Sequence, residues 1–156
     1  MRFVYDDERV CTWVTEKAGG IYTAECRGIG LEKDGILKVG VMYNGYTGDG
    51  GSISMHWRCD DPKATSRTFF WAAFHFAFNV CNVNTALGIV HQDNKMAREV
   101  DARLGFREVH TLQGYFPDGA GIIYAMNKED CRWIKRRDGA LGRKDHEQKI
   151  SPAHSA

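Results

Sequence analysis

The clearest pattern lies in residues 52–58, where Ile53, Met55 and Trp57 alternate with Ser54, His56 and Arg58. A period of two puts the apolar set on one face of a strand and the polar set on the other. Residues 2–5 form a short apolar run, and Asp6-Asp7 after it offers N-cap carboxylates for a helix over 8–17 carrying Val10, Trp13 and Val14. Gly19-Gly20 ends that helix, and 21–31 and 36–43 read as strands around a Lys33-Asp34-Gly35 turn. Asn44-Gly45 and the glycines at 48, 50 and 51 mark the turn before the alternating strand.

The pattern changes after Asp60-Asp61-Pro62. Thr65 and Ser66 offer cap hydroxyls to a helix over 67–80 that is apolar almost all round, with Phe69, Phe70, Trp71, Phe74, Phe76 and Phe78. Such a helix is buried on most of its surface. Residues 85–90 form an apolar strand of the buried, parallel kind. Asp93 or Asn94 caps a helix through Leu104 with Gly105 as its stop, and 106–112 and 122–126 are two more strands. Strand, helix, three-strand meander, helix, strand, helix and two strands make an α/β domain around one mixed sheet, with helices on both faces. The domain spans 1–134; residues 135–156 hold six Lys or Arg and little apolar content, and read as a flexible basic tail.

Composition adds exclusions. The 156 residues are 43% hydrophobic and 26% charged, with a formal charge of +1. That balance is globular and gives no global argument for a nucleic-acid or membrane binder. No run approaches the roughly 20 apolar residues that span a bilayer, and the first ten residues are too charged for a secretory signal, so a cytoplasmic location is expected. Cys11, Cys26, Cys59, Cys81 and Cys131 form no CxxC and are expected as reduced thiols, mostly in the core. The histidines show no metal-ligand spacing, so no metal is expected. His75, between Phe74 and Phe76, reads as a core or helix-edge histidine.

The order of elements, with Val90-His91-Gln92-Asp93-Asn94-Lys95-Met96-Ala97 and Arg103-Leu104-Gly105-Phe106, resembles the second half of the GNAT acyltransferase fold. The ending from Tyr124 to Trp133 is similar to that of short acyltransferase-like proteins encoded by phages. The resemblance implies a fourth strand that splays from the fifth and opens a V-shaped cleft for the thioester arm of acetyl-CoA, the implied co-substrate. The backbone at Trp57 and Arg58 would line that cleft and polarise the thioester carbonyl. The diphosphate would sit on the tip of the next helix, where free N–H groups favour anions. The corresponding segment here supplies Lys63, Ala64, Thr65, Ser66 and Arg67 but none of the family's glycines, and Asp60 and Asp61 would repel phosphate unless turned away. The other reading of this segment is an ordinary capped helix start. Asn94 would touch the cofactor arm, although capping its own helix explains it equally. Where the family carries a general-acid Tyr this chain has Asp101. Asp101 is either a surface carboxylate paired with Lys95 or Arg103, or an acid whose pKa burial has raised.

The resemblance implies acyl-CoA-dependent N-acetylation of an amine. His56, on the polar face of the cleft strand, is the first candidate for the base that deprotonates the acceptor; the alternative is a surface histidine. Glu25 on the second strand is the next candidate base, and Tyr124 on the last strand is a proton donor. Two other functions stay open: a phage enzyme of this fold that modifies DNA adenine, as Mom-type proteins do, and an inactive GNAT-fold interaction or virion-associated protein. The implied partner is an amine on a small molecule or protein. A nucleic-acid contact through the basic tail and a homodimer involving Trp133 stand as further options, with host cytoplasm as the location if the chain is phage-encoded.

Overall fold

Asp6 begins the first helix as its position suggests: its carboxylate accepts the Arg9 N–H at 3.0 Å. In the computed structural model, which describes residues 1–135, strand β1 (Arg2–Val4) leads through this cap into α1 (Asp7–Ala18). Residues 136–156, nearly all of the expected basic tail, lie outside the described residues. Strand β2 (Arg27–Lys33) starts later than the apolar pattern from residue 21 suggests. Local bonds hold the preceding residues in a turn: the Cys26 N–H donates to the Thr23 carbonyl, and the Arg27 guanidinium to those of Ala24 and Cys26. Asp34 and Gly35, both at positive φ, make the two-residue hairpin into β3 (Ile36–Asn44). β4 (Ser52–Cys59) completes the meander.

Helix α2 (Arg67–His75) is capped by Ser66, whose hydroxyl accepts the Phe69 N–H at 3.1 Å. The helical reading of 67–80 holds with one change. Phe76–Val80 widens into a π-turn, which keeps Phe76, Ala77 and Phe78 all in the core. Then follow β5 (Thr85–His91), α3 (Lys95–Leu104), β6 (Arg107–Phe116) and β7 (Gly119–Asn127), the last two longer than their apolar runs suggest. Gly105, at φ 110°, closes α3 in the left-handed conformation.

The seven strands form one mixed sheet in the order β1-β2-β3-β4-β5-β7-β6, antiparallel throughout except for β4 beside β5. Helices cover both faces. α1 lies on one face, its Val10, Cys11 and Val14 packed with Leu37 and Met42. It approaches closely because β2 offers glycine: a Cβ at Gly28 would stand 2.8 Å from the Val10 Cβ. The larger core occupies the other face, where Ile29, Val41, Tyr43, Ile53 and Met55 meet Phe69, Phe74, Phe76 and Phe78 of α2 and its π-turn, with Leu104 of α3. The Tyr43 hydroxyl, fully buried, donates to the Ala73 carbonyl at 2.8 Å. Cys11, Cys26, Cys81 and Cys131 are buried free thiols; Cys59 is exposed.

Candidate active site at the parting of two strands

β4 and β5 are neighbours for only the first part of their length. Their register runs Ser52 with Thr85, Ile53 with Ala86 and Ser54 with Leu87, and stops there. Beyond it β4 keeps its partner β3 as far as Cys59, while β5 keeps its partner β7 as far as His91. The backbone of residues 55–59 therefore has a strand on one side only. Gly88, the first β5 residue past the last pair, has no side chain to fill the vertex. A Cβ there would lie 3.5 Å from Asp101 Oδ2 and 4.0 Å from the Met55 carbonyl oxygen.

Asp101 is the carboxyl at that vertex. It is 7% exposed, and among the described residues it has neither the expected surface ion pair nor any side-chain hydrogen bond; Arg103 reaches toward Glu99 instead, at 3.9 Å. The surface-carboxylate reading is thereby corrected. Burial without a counter-charge pushes the Asp101 carboxyl up to about 7. In the unfolded chain the same group titrates near 4. The folded protein therefore holds this proton across the interval between them, and stability is lost as pH rises from about 4 through about 7. We expect urea midpoints to fall over that interval by an amount on the order of a few kcal/mol, and Asp101→Asn to remove most of that slope.

His56 stands on the opposite, α1-facing side of β4. Its Nε2 lies 2.9 Å from Asn44 Oδ1 across the β3–β4 pair. An amide oxygen accepts only, so Nε2 carries the hydrogen and Nδ1 keeps its lone pair. Burial lowers the His56 pKa from its ordinary 6.5, so the imidazole is neutral at pH 7. Asn44 was not apparent as a site residue, because Asn44-Gly45 carries a turn pattern that hides the histidine's partner. Gly88 carries only a weak signal in the sequence: a glycine inside an apolar strand marks close approach of another group.

The remaining candidates separate. Arg58 is 10% exposed and braces α1. It stacks 4.0 Å over the Trp13 ring and donates to the Trp13 carbonyl, Glu16 and Asp60. Its side chain is therefore not available at the helix tip, and only its backbone lies along the cleft. Glu25 is corrected: it is exposed in the turn before β2 and is not carried on a strand. Trp57 points to the α2 side, edge-on to Phe69 and Phe70 at 6.3 and 6.1 Å between ring centres. Tyr124 is buried opposite Gly88, its hydroxyl oxygen accepting from Arg98 Nε at 3.3 Å. Trp133 packs inward, stacked 6.4 Å from Phe74, with Nε1 donating to the Leu104 carbonyl at 2.8 Å. Asn94 caps α3, accepting the Ala97 N–H at 3.1 Å.

At the α2 tip, Pro62–Ala64 forms a single 3₁₀ turn that ties the Ala64 and Thr65 N–H groups to the Asp61 and Pro62 carbonyls. The first N–H groups of α2, from Arg67 on, have no intrahelical acceptor. Asp61 caps the 3₁₀ turn and Asp60 binds Arg58 and Lys17, which hold its carboxyl down to about 2. Lys63 and Arg67 are exposed and make no ion pair among the described residues. The cations thus face outward at the tip, while both carboxylates are occupied. Among the described residues no group of three or more His, Cys, Asp or Glu could hold a metal ion, and no helix is long and apolar enough to cross a membrane.

Neither a protein-family model nor a curated protein matches the sequence. Solved structures match the fold. The spermidine/spermine N-acetyltransferase SpeG from Vibrio cholerae, solved with manganese ions, superposes with a TM-score of 0.63 over 81% of this chain and 91% of that one, at 14% identity. The chain has the GNAT acetyltransferase fold. An acetyltransferase of the GNAT family from Bacillus anthracis gives a TM-score of 0.58 over 83% of this chain and 96% of that one, at 15% identity. In this GNAT fold the mixed sheet and the helices on both faces are those the order of elements suggested, and the parted central strands are those the resemblance implied.

Proposed function

We propose that the chain is an acetyl-CoA-dependent N-acetyltransferase that transfers the acetyl group to an amine. The observation that carries this reading is the parting of β4 from β5 after Ser54 and Leu87, which leaves the backbone of β4 unpaired on the side facing β5. An extended amide-bearing arm can pair there as a missing strand would. The α2 tip fits a diphosphate despite its lack of glycine. Ser66 and Arg67 bring backbone N–H groups, Lys63 and Arg67 bring charge, and Asp60 and Asp61 are held by their own partners. Bound there, acetyl-CoA supplies an activated acetyl thioester.

The acceptor comes from the α1 side. His56 stands there as a neutral imidazole with Asn44 fixing its ring, and Nδ1 takes the proton as the amine attacks. Leu87 and Ile89 of β5 and Ile123 of β7 alternate onto the same side, are half-buried and belong to neither core cluster. They form an apolar floor beside the histidine. That two of the structural neighbours are named as N-acetyltransferase and acetyltransferase supports amine acylation; it does not fix the acceptor. The basic stretch on which a DNA-directed reading would draw lies outside the described residues.

The test is release of free CoA thiol from acetyl-CoA against a panel of polyamines, aminoglycosides, amino acids and lysine peptides. We expect release that depends on both protein and amine. No amine-dependent release from any class would overturn the reading.

A further inference from the structure

The face of the sheet that carries α1 is only partly covered. α1 packs on β2, β3 and β4. Across β5, β7 and β6 no helix among the described residues lies on that side, since α2 and α3 belong to the opposite core. The registers turn Leu87 and Ile89 of β5 and Ile123 of β7 to the uncovered side, the side of Ser54 and His56. Half-buried and outside both cores, they form a band that begins at His56. Farther out Tyr115 of β6 lays its ring over Gly121, where a Cβ would stand 2.8 Å from the Tyr115 Cγ, and the residue stays exposed.

The charges beside this band are of one kind. The ionisable residues that β4, β5, β7 and β6 turn to this side are His56, Arg58, His91, Arg107 and His110, all of them bases. The carboxylates at its margins are engaged: Glu16 pairs with Arg58 at 2.7 Å and Asp118 with His91 at 3.1 Å. Glu108 stands opposite Tyr124 and so belongs to the other face.

We infer that the acceptor is a small primary amine joined to an apolar body, alkyl or aromatic, with no second ammonium, and that Leu87, Ile89 and Ile123 select it. This deepens the acetyl-transfer reading above and rests on it. The amine stands at His56 and its body lies along the band toward Tyr115. Burial of that body against apolar side chains is favourable in proportion to its area. A second ammonium on the same band gives up water and finds no carboxylate in exchange. A substrate needs a surface continuous with the base, as this band is; a second copy of the chain does not.

The test is thiol release from acetyl-CoA by the wild-type chain with matched amines. From propylamine to hexylamine, kcat/KM should rise about threefold per methylene. Pentane-1,5-diamine has as many non-hydrogen atoms as hexylamine, with an ammonium in place of the end methyl, and should be about 100-fold poorer. Ile123→Ala should flatten the dependence on chain length. Ile123→Asp, which adds a carboxylate to the floor, should shift the ratio toward the diamine by at least about tenfold. Should that variant fail to fold, the wild-type series and Ile123→Ala decide. Faster turnover of the diamine or of spermidine than of hexylamine, or no dependence on chain length, overturns this assignment and leaves the transferase reading standing. So does a dimer in sedimentation whose association Ile123→Ala weakens, because a second copy then covers the face. A wild-type protein that releases no thiol with any amine overturns the transferase reading itself, and this assignment with it.

Discussion

His56→Ala is expected to lower kcat for acetyl transfer by about 100-fold or more while leaving acetyl-CoA affinity within about twofold of wild type. The split follows from where the residue stands. His56 faces the α1 side of β4, bonded to Asn44, whereas in the proposed reaction the arm of the donor would pair with strand backbone and its diphosphate would rest at α2. Truncating the imidazole removes the proton acceptor and disturbs no surface assigned to the donor. The pH dependence has a defined sign. Burial lowers the pKa of His56, so the base loses its proton below pH 6.5 and activity should persist to correspondingly lower pH. Steady-state kinetics over pH 5 to 9, with calorimetry for affinity, checks both parts. An equal loss in affinity and turnover would mean that the histidine supports the fold and does no proton transfer.

Gly88→Leu should abolish acetyl-CoA binding in a protein that still folds. The glycine lies one residue past the last β4–β5 pair, and its missing side chain is the space between Asp101 and the Met55 carbonyl. An added Cβ alone makes ordinary contact at 3.5 Å. The rest of a leucine must project into the vertex or push the strands further apart. Ile53 and Ala86 pair below that point, and Val90 remains paired with Ile122, so the sheet keeps its neighbours on both sides. Circular dichroism and a retained cooperative transition report the fold, and calorimetric titration reports binding; we expect affinity to fall by at least about 100-fold, a loss near 3 kcal/mol.

Much of this architecture could be read from apolar spacing. Period-two alternation gave 52–58 its two faces, the aromatic run gave the buried helix, and Leu104-Gly105 gave the end of α3. Strand starts were less visible where a turn is stabilised by side chains. Residues 21–26 carry Ile21, Tyr22 and Cys26 like a strand, yet Arg27 ties the Ala24 and Cys26 carbonyls and holds them in a turn. That single difference takes Glu25 off the strand and leaves it exposed in the turn before β2. The parting of β4 and β5 could only come from resemblance, because strand separation leaves no period in the chain. Asp101 was ambiguous for a related reason. On α3 it lies between Lys95 and Arg103, and a sequence pattern cannot tell a helix's solvent face from the flank that closes over a glycine in the sheet. Asn44 was invisible as a partner, since the contact depends on the β3–β4 register, which sets Met42 opposite His56 and Asn44 opposite Ser54.

The most direct measurement is amide hydrogen exchange across β4 with and without acetyl-CoA. If the arm occupies the gap, residues 55–58 should gain protection on adding acetyl-CoA, together with the α2 tip at residues 66–68, while β2 and the outer strand β6 stay unchanged. Exchange at 55–58 that is the same with saturating acetyl-CoA as without it would contradict the account, whatever else the protein binds.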